Sequence, residues 1–519
     1  MAALLGIDLG TSAVKAVVID ESARILGTGT REIPMEVPAP GRAEQDPSTW
    51  WSATVEAARA ALQAAGGPEI SAIGCDGHMH GFTLLDRQLV PVGRAITWAD
   101  QRAADLIPEL EARVGRDRFL RIAGTRPAAG FMAPSMAWLA QHEPVRLDVS
   151  AVALLPKDYL RLRLTGTVGT DVSDAAGTAL FDVRRGDWSQ ELCEAVGVPM
   201  RLLPEVQGSA EAVGTLSSEP ADELGIAPGI PVAGGSADQP AQAVANGLLD
   251  PGDGAIALGT GGQIQVITDR PLPDPEGRIH TFNHVVPERW YQLGATLSAG
   301  MSLRWLRDRL RLSGDDPYGS LDQLAAAVPP GSEGLVFLPY LVGERSPIMD
   351  PEATGAFVGL TLGHRRAHLT RAVLEGVAFS LRATRDAVVD AGGRCETWLA
   401  AGNGLASPLW RGIVADVFGE PLSYVDSPER TGVGAALLGG IAAGVYADFA
   451  EASAAARLPL VPTEPHPERT AVYDEAYARF VRLTTLLTQE ARFQAEEARS
   501  WADPGGELRR PASTPSAPG

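Results

Sequence analysis

The residues best suited to chemistry lie near the start of the chain, in Asp8-Leu9-Gly10-Thr11-Ser12-Ala13-Val14-Lys15. They combine an acid, two hydroxyls, a glycine-freed backbone and a lysine. The phosphates of a nucleotide need that mixture: N–H donors at close approach, hydroxyls for phosphate oxygens, and a carboxylate to hold Mg2+. About half a chain later, Gly254-Ala255-Ile256-Ala257-Leu258-Gly259-Thr260-Gly261-Gly262 and the apolar run to Asp269 repeat the plan. A lone Gly-Thr turn is commonly just a turn. Two matched copies, one per half, predict a duplicated domain pair gripping one ligand from both sides.

Other candidates read less sharply. Asp238, ahead of Gln239-Pro240, has the position of a helix N-cap. His78 and His80 alternate as residues on one strand face do, but no third ligand lies near, and a metal site needs three or four. Cys75, Cys193 and Cys395 lack CxxC spacing and read as small buried hydrophobes in a reducing cytoplasm. Lys15 and Lys157 are the chain's two lysines against forty-two arginines. A compact point charge kept at the hairpin is one reading of Lys15, and chance survival is the other.

These residues need a frame. Leu4-Leu5-Gly6-Ile7 and Ala16-Val17-Val18-Ile19 flank the first turn as a buried hairpin. Asp46 and Pro47 open a helix that Gly66-Gly67 close. Ile70–Gly74 reads as a strand emptying into Asp76-Gly77-His78-Met79-His80, and Thr83–Asp86 as another. A short helix over 154–166 ends at Gly166, and 171–178 reads as a polar loop of small residues. A helix from about Gln239 to Asn246 bridges a domain boundary near 240–250. Residues 367–391 form a helix with Leu369, Val373, Val377, Leu381 and Val388 on one stripe, closed by Gly392-Gly393. Alternating strands and helices predict an α/β architecture. Pro504–Gly519 is Pro/Ser/Gly-rich and expected to be disordered.

Length and charge bound the function. At 519 residues two domains are the natural expectation. With 45% hydrophobic and 21% charged residues the composition is that of an ordinary globular protein. No apolar run reaches the ~20 residues of a membrane span, and no export signal is expected. A net charge of −20 argues against nucleic acid as a partner. An anionic ligand must therefore be neutralised locally, by Mg2+, backbone N–H groups and a few cations.

Several motifs then carry a resemblance to the FGGY family of carbohydrate kinases, covering about residues 4–450. Gly6-Ile7-Asp8-Leu9-Gly10-Thr11-Ser12 resembles the family's opening phosphate hairpin, and Gly343-Glu344-Arg345-Ser346-Pro347 its Gly-Glu-Arg-Thr-Pro segment. Within the family, Glu44-Gln45-Asp46-Pro47 with Trp50-Trp51, Met79-His80-Gly81, Leu155–Arg161 and Ser173–Thr178 resemble the xylulokinases. The resemblance implies two duplicated actin/hexokinase-like (ribonuclease H-like) domains with an interdomain cleft. The first would run over 1–245 and the second over 246–460, with a helical segment at 461–503 and the tail at 504–519.

The resemblance further implies ATP-dependent phosphorylation of a ketopentose, D-xylulose foremost, with Asp238 as general base. Asp8 would hold Mg2+ through bound water. Gly10, Thr11, Ser12 and Lys15 would contact phosphates from the first domain and Gly259, Thr260 and Gly261 from the second. Gly402 and Asn403 match the adenosine position, although the family commonly has a glycine run there and Asn403 could instead cap the helix reaching Trp410. Met79, His80, Asp100 and Gln239 would line the sugar site. His78, Ala99 and Ser135 depart from the usual Gln, Asn and Lys, which keeps ribulose, gluconate and glycerol open as substrates. A homodimer and a cytoplasmic location accompany the resemblance. A sugar-binding regulator without catalysis, or an actin-like ATPase, fits less well, because Asp8, Asp238 and the substrate-loop motifs are all present.

Overall fold

The computed structural model describes residues 2–311, 316–426 and 429–502. The tail expected to be disordered, 504–519, lies outside them.

Each of the two hairpins seeds a seven-stranded sheet. In the first half, Ala3–Leu9 pairs antiparallel with Ala13–Asp20, which pairs antiparallel with Ile25–Glu32. The other edge of Ala3–Leu9 takes Ile70–Gly77 in parallel. In the second half, Asp253–Leu258 pairs antiparallel with Gly262–Thr268, which pairs antiparallel with Trp290–Thr296. The other edge of Asp253–Leu258 takes Thr397–Ala401 in parallel. The repeat legible in the turns is thus a repeat of sheet topology.

Local chemistry explains the flanking elements. Asp46 caps helix Pro47–Ala64 by accepting from the Ser48 N–H at 2.9 Å, and Pro47 begins it. This helix packs on the Ala13–Asp20 and Ile25–Glu32 side of the first sheet and buries Trp50 completely. Helix Arg366–Asp390 buries Val373, Val377, Leu381 and Val388 in the second core and leaves Leu369 half-buried. The stretch expected as a polar loop at 171–178 instead contains helix Val172–Ala176. Asp171 nucleates it, its carboxylate accepting from the N–H groups of Ser173 and Asp174.

Two helices connect the halves. Asp238–Asn246 packs against Arg430–Ala442, and the latter lies on the first sheet over Ala3–Leu9 and Ile70–Gly77. Glycines at the crossing permit this. A Cβ at Gly6 would stand 2.0 Å from the Gly432 carbonyl oxygen, and one at Gly74 1.8 Å from that of Ala435. Helix Pro467–Ala502 closes the second half, with Tyr473 and Phe480 in its core, and Val461–Thr463 adds an edge strand to its sheet. Among the described residues no helix is long and apolar enough to cross a membrane.

Candidate active site

Strand register gathers the acids. Asp8 stands one residue before the end of the first strand, opposite Asp76 on the parallel neighbour. Ser236-Ala237 pairs with Asp76-Gly77, so the next residue, Asp238, emerges beside them. Withdrawal from water disfavours three adjacent negative charges. Burial pushes Asp8 up to about 6, and burial with the charge of Asp8 pushes Asp238 up to about 7. Asp76 is held well above the usual carboxylate range by burial and then by Asp8 and Asp238. Asp238 is not the N-cap: that position is Ala237, and Asp238 is the first helical residue, accepting from the Gln239 N–H at 2.7 Å.

A buried polar chain fixes the strand that presents Asp238. The Ala237 N–H donates to Ser173 Oγ at 3.1 Å, and Ser173 donates to Asp171 at 2.6 Å. Ser209 donates to the same Asp171 oxygen at 2.7 Å. Lys157, fully buried, pairs with Asp158, with Asp171 at 3.0 Å and with Asp174 at 3.6 Å. Its ammonium is the nearest cation to this group of buried acids, and burial nevertheless holds Asp174 well above the usual carboxylate range.

A cleft of about 840 Å³ is lined by Lys15 of the first hairpin and by Gly259–Gly262 of the second, and Gln239, the neighbour of Asp238, borders it. Lys15, Gln239, Gly259, Thr260, Gly261, Gly402 and Asn403 line it, which brings together the second-half phosphate and adenosine residues with Lys15 and Gln239; Gly10, Thr11, Ser12, Met79, His80 and Asp100 are not among its lining residues. A neighbouring cavity of about 370 Å³ shares Gly259, Thr260 and Asn403 and continues along Gly300, Tyr318, Asp322 and Trp410. The second hairpin is locked from behind: Gly300 donates to the Gly259 carbonyl at 3.0 Å and Met301 to that of Thr260 at 3.0 Å. Gly402 takes φ +90°, where a Cβ would stand 2.7 Å from the Leu258 carbonyl oxygen. Asn403 does not cap the following helix. Ser407 does, accepting from the Trp410 N–H at 3.1 Å, because it directly precedes Pro408 at the helix start.

In the first hairpin Gly10, Thr11 and Ser12 form the turn. Thr11 is tied on two sides: Trp98 Nε1 donates to its hydroxyl at 2.8 Å and Gln45 Nε2 to its carbonyl at 2.8 Å. With its oxygen accepting, the Thr11 hydroxyl keeps its proton available to donate. Lys15 meets Glu429 at 3.6 Å.

On the sugar side His80 sits at φ +75°, an uncommon conformation for a residue with a Cβ. Its Nδ1 donates to the Gly177 carbonyl at 2.6 Å and its ring stacks on Phe131 at 3.9 Å. Burial holds His80 down to about 3, so the ring is neutral and Nε2 is an acceptor. Met79 Sδ lies 3.9 Å from the Tyr291 hydroxyl of the second half. Asp100 is fully buried, with both oxygens engaged by the Ala43 N–H and by Arg102. It holds the loop that carries Trp98. His78 packs edge-on against Trp50, and Ser135 donates to the Ala129 carbonyl at 3.3 Å.

Asp76, Lys157, Trp98 and Gln45 were not among the residues expected from sequence. Asp76 had a signal: Gly74-Cys75-Asp76-Gly77 places an acid and a glycine at the end of an apolar run, as Ile7-Asp8-Leu9-Gly10 does. Lys157 had one in its rarity.

The sequence profile of the FGGY family of carbohydrate kinases, N-terminal domain, matches residues 3–245, and that of the C-terminal domain matches 254–443. Xylulose kinase of Escherichia coli is 37% identical over 493 residues, 93% of this chain and 99% of the relative. Gluconokinase of Bacillus subtilis is 29% identical over 86% of the chain and 88% of its own. The crystal structure of xylulose kinase from Rhodospirillum rubrum superposes with a TM-score of 0.89 at 30% identity, over 94% of this chain and all of that one. The motifs at both hairpins and the two-domain topology agree with these matches: the chain belongs to the FGGY family of carbohydrate kinases.

Proposed function

We propose that this kinase transfers the γ-phosphoryl group of MgATP to D-xylulose, giving D-xylulose 5-phosphate, with Asp238 as general base. The observation that carries the proposal is the place of Asp238, raised to about 7 by burial: its neighbour Gln239 lines the cleft with Lys15 and Gly259–Gly262, and its charge reaches Tyr291, whose hydroxyl lies 3.9 Å from Met79 Sδ. A base must be ionised near working pH yet basic enough to draw a proton, and a value near neutrality meets both demands. ATP extends from the smaller cavity, with adenosine near Gly402 and Asn403, toward Thr11, Lys15, Thr260 and Gly261. The neutral Nε2 of His80 accepts a hydrogen bond from a sugar hydroxyl, and the buried walls exclude water that would compete for the phosphoryl group.

The residues fit Mg2+. Asp8 and Asp76 are adjacent hard oxygen donors, and no donor reaches either oxygen of Asp76. Among the described residues no three His, Cys, Asp or Glu side chains form a metal cluster on their own, so Asp8 and Asp76 would hold the ion only together with the bound phosphates, Asp8 through water. The ion supplies charge neutralisation on the phosphates. A homodimer in the cytoplasm belongs to the proposal through the family resemblance.

A second reading keeps the kinase and changes the acceptor to gluconate or another polyol. The Bacillus subtilis gluconokinase relative and the departures at His78, Ala99 and Ser135 favour it. ADP release with MgATP against D-xylulose, D- and L-ribulose, glycerol, gluconate and no sugar separates the two. Dependence on D-xylulose alone supports the first reading, and preference for another acceptor replaces it with the second. ADP release indifferent to every sugar overturns both.

A further inference from the structure

The second half of the chain sends one cation across to the first that has no role so far. Arg345 stands on a pinned backbone. Glu344 Oε1 accepts from the Arg345 N–H at 2.8 Å and from the Leu297 N–H at 2.7 Å, and the Ser346 N–H donates to the Ala295 carbonyl at 2.9 Å. From this base the guanidinium lines the large cleft and lies over the Trp98 ring, 5.3 Å from its centroid. That ring is the one whose Nε1 is fixed to Thr11 at the phosphate hairpin. The positive charge of Arg345 also reaches His80 and His280, adding to the burial that keeps them neutral. Arg345 is therefore close both to the residue that ties down the nucleotide hairpin and to the sugar loop.

The other cations of the cleft are engaged. Lys15 is paired with Glu429, and Arg430 donates to Asn246 and to the Ala456 carbonyl. Among the described residues the guanidinium of Arg345 has no hydrogen bond or ion pair of its own. Resting over the indole through a cation–π contact leaves its N–H groups to donate elsewhere, and they form the planar fork that matches two phosphoryl oxygens.

We infer that Arg345 is a catalytic residue whose guanidinium grips the γ-phosphoryl group while that group passes from ADP to the sugar. The assignment rests on the kinase reading above. In the transfer a bond forms between the sugar oxygen and phosphorus, the bond from phosphorus to the ADP oxygen breaks, and ADP keeps the electron pair. The hydroxyl proton goes to Asp238, and Arg345 gains and loses nothing. Its contribution is to offset charge on the equatorial oxygens at a site already crowded with Asp8, Asp76, Asp174 and Asp238. A residue that only bound triphosphate would have no reason to border His80. One that only bound sugar would have no reason to line the cleft with Lys15 and Thr260.

The test compares R345A, R345K and R345Q with the unaltered full chain, using the acceptor that gives sugar-dependent ADP release. The expected result for R345A is a kcat lower by ~10^2- to 10^4-fold, with KM for ATP and sugar within about threefold. Added guanidinium ion should restore part of the R345A rate and leave the unaltered enzyme unchanged, which a merely structural arginine would not produce. R345K and R345Q carry the same comparison if R345A fails to fold, with R345K the faster of the two. A kcat within about threefold of the unaltered enzyme, or a loss confined to KM, overturns the assignment. Absence of sugar-dependent ADP release in the unaltered chain overturns the kinase reading and this assignment with it.

Discussion

The indole N–H of Trp98 donates to the hydroxyl oxygen of Thr11 at 2.8 Å, tying the loop held by Asp100 to the tip of the phosphate hairpin. Eighty-seven residues separate the two in sequence. Because the threonine oxygen accepts here, its own proton is left to donate elsewhere, and Trp98, which lines the cleft, ties that hydroxyl to it.

Trp98→Phe keeps a ring beneath Arg345 and removes the donor. A net hydrogen-bond contribution of about 1 kcal/mol predicts roughly a fivefold loss in kcat/KM for ATP. Steady-state kinetics checks this, and an unchanged kcat/KM would show that Thr11 needs no such orientation.

Asp238 must be ionised to accept a proton. With its carboxyl raised to about 7 by burial, kcat/KM should fall about tenfold per pH unit below that value and level off above it. Asp238→Ala should fold and bind ATP yet lose transfer by ~10^2-fold or more. Turnover equal to the unaltered enzyme would remove Asp238 from the mechanism.

The same burial has a stability consequence of definite sign. The folded pKa of Asp238, about 7, lies above its ordinary 3.8, so its favourable contribution to folding is complete below the lower value and is lost as pH rises through the higher one. Asp238→Asn cannot ionise and should gain on the unaltered chain as pH rises, by about 4 kcal/mol at pH 8, with the difference falling below about 2 kcal/mol at pH 5. Thermal melts across that range read it directly. A gain independent of pH would point to packing rather than charge.

Lys157→Met removes the ammonium from among Asp158, Asp171 and Asp174, all fully buried. Leaving buried acids without their cation costs about 3–5 kcal/mol, and the Ser173 link to the strand of Asp238 should loosen with it. Urea titration gives the loss. A change below about 1 kcal/mol would mean that these acids are neutral in the native state.

Much of the architecture was legible because its signals are local. The two Gly-Thr turns, the Asp46-Pro47 helix start and the apolar stripe of 366–390 each depend on neighbours within a few residues. The loop expected at 171–178 misled because small polar residues suit turns and caps equally. Only the accepted N–H groups of Ser173 and Asp174 reveal Asp171 as a cap. Asn403 and Ser407 were ambiguous for the same reason, and the position of Pro408 decided between them.

By itself, the sequence determined which side chains stand at each strand end and that the plan occurs twice, since turn chemistry and apolar runs are properties of adjacent residues. The tertiary structure alone decided their company. Pairing of Ala3–Leu9 with Ile70–Gly77 sets Asp76 against Asp8, burial turns Lys157 into the counter-charge of three acids, and the meeting of the halves brings Arg345 over Trp98. Register, burial and interdomain contact arise between segments far apart in the chain. Charge state depends on all three, and so does the chemistry of the site.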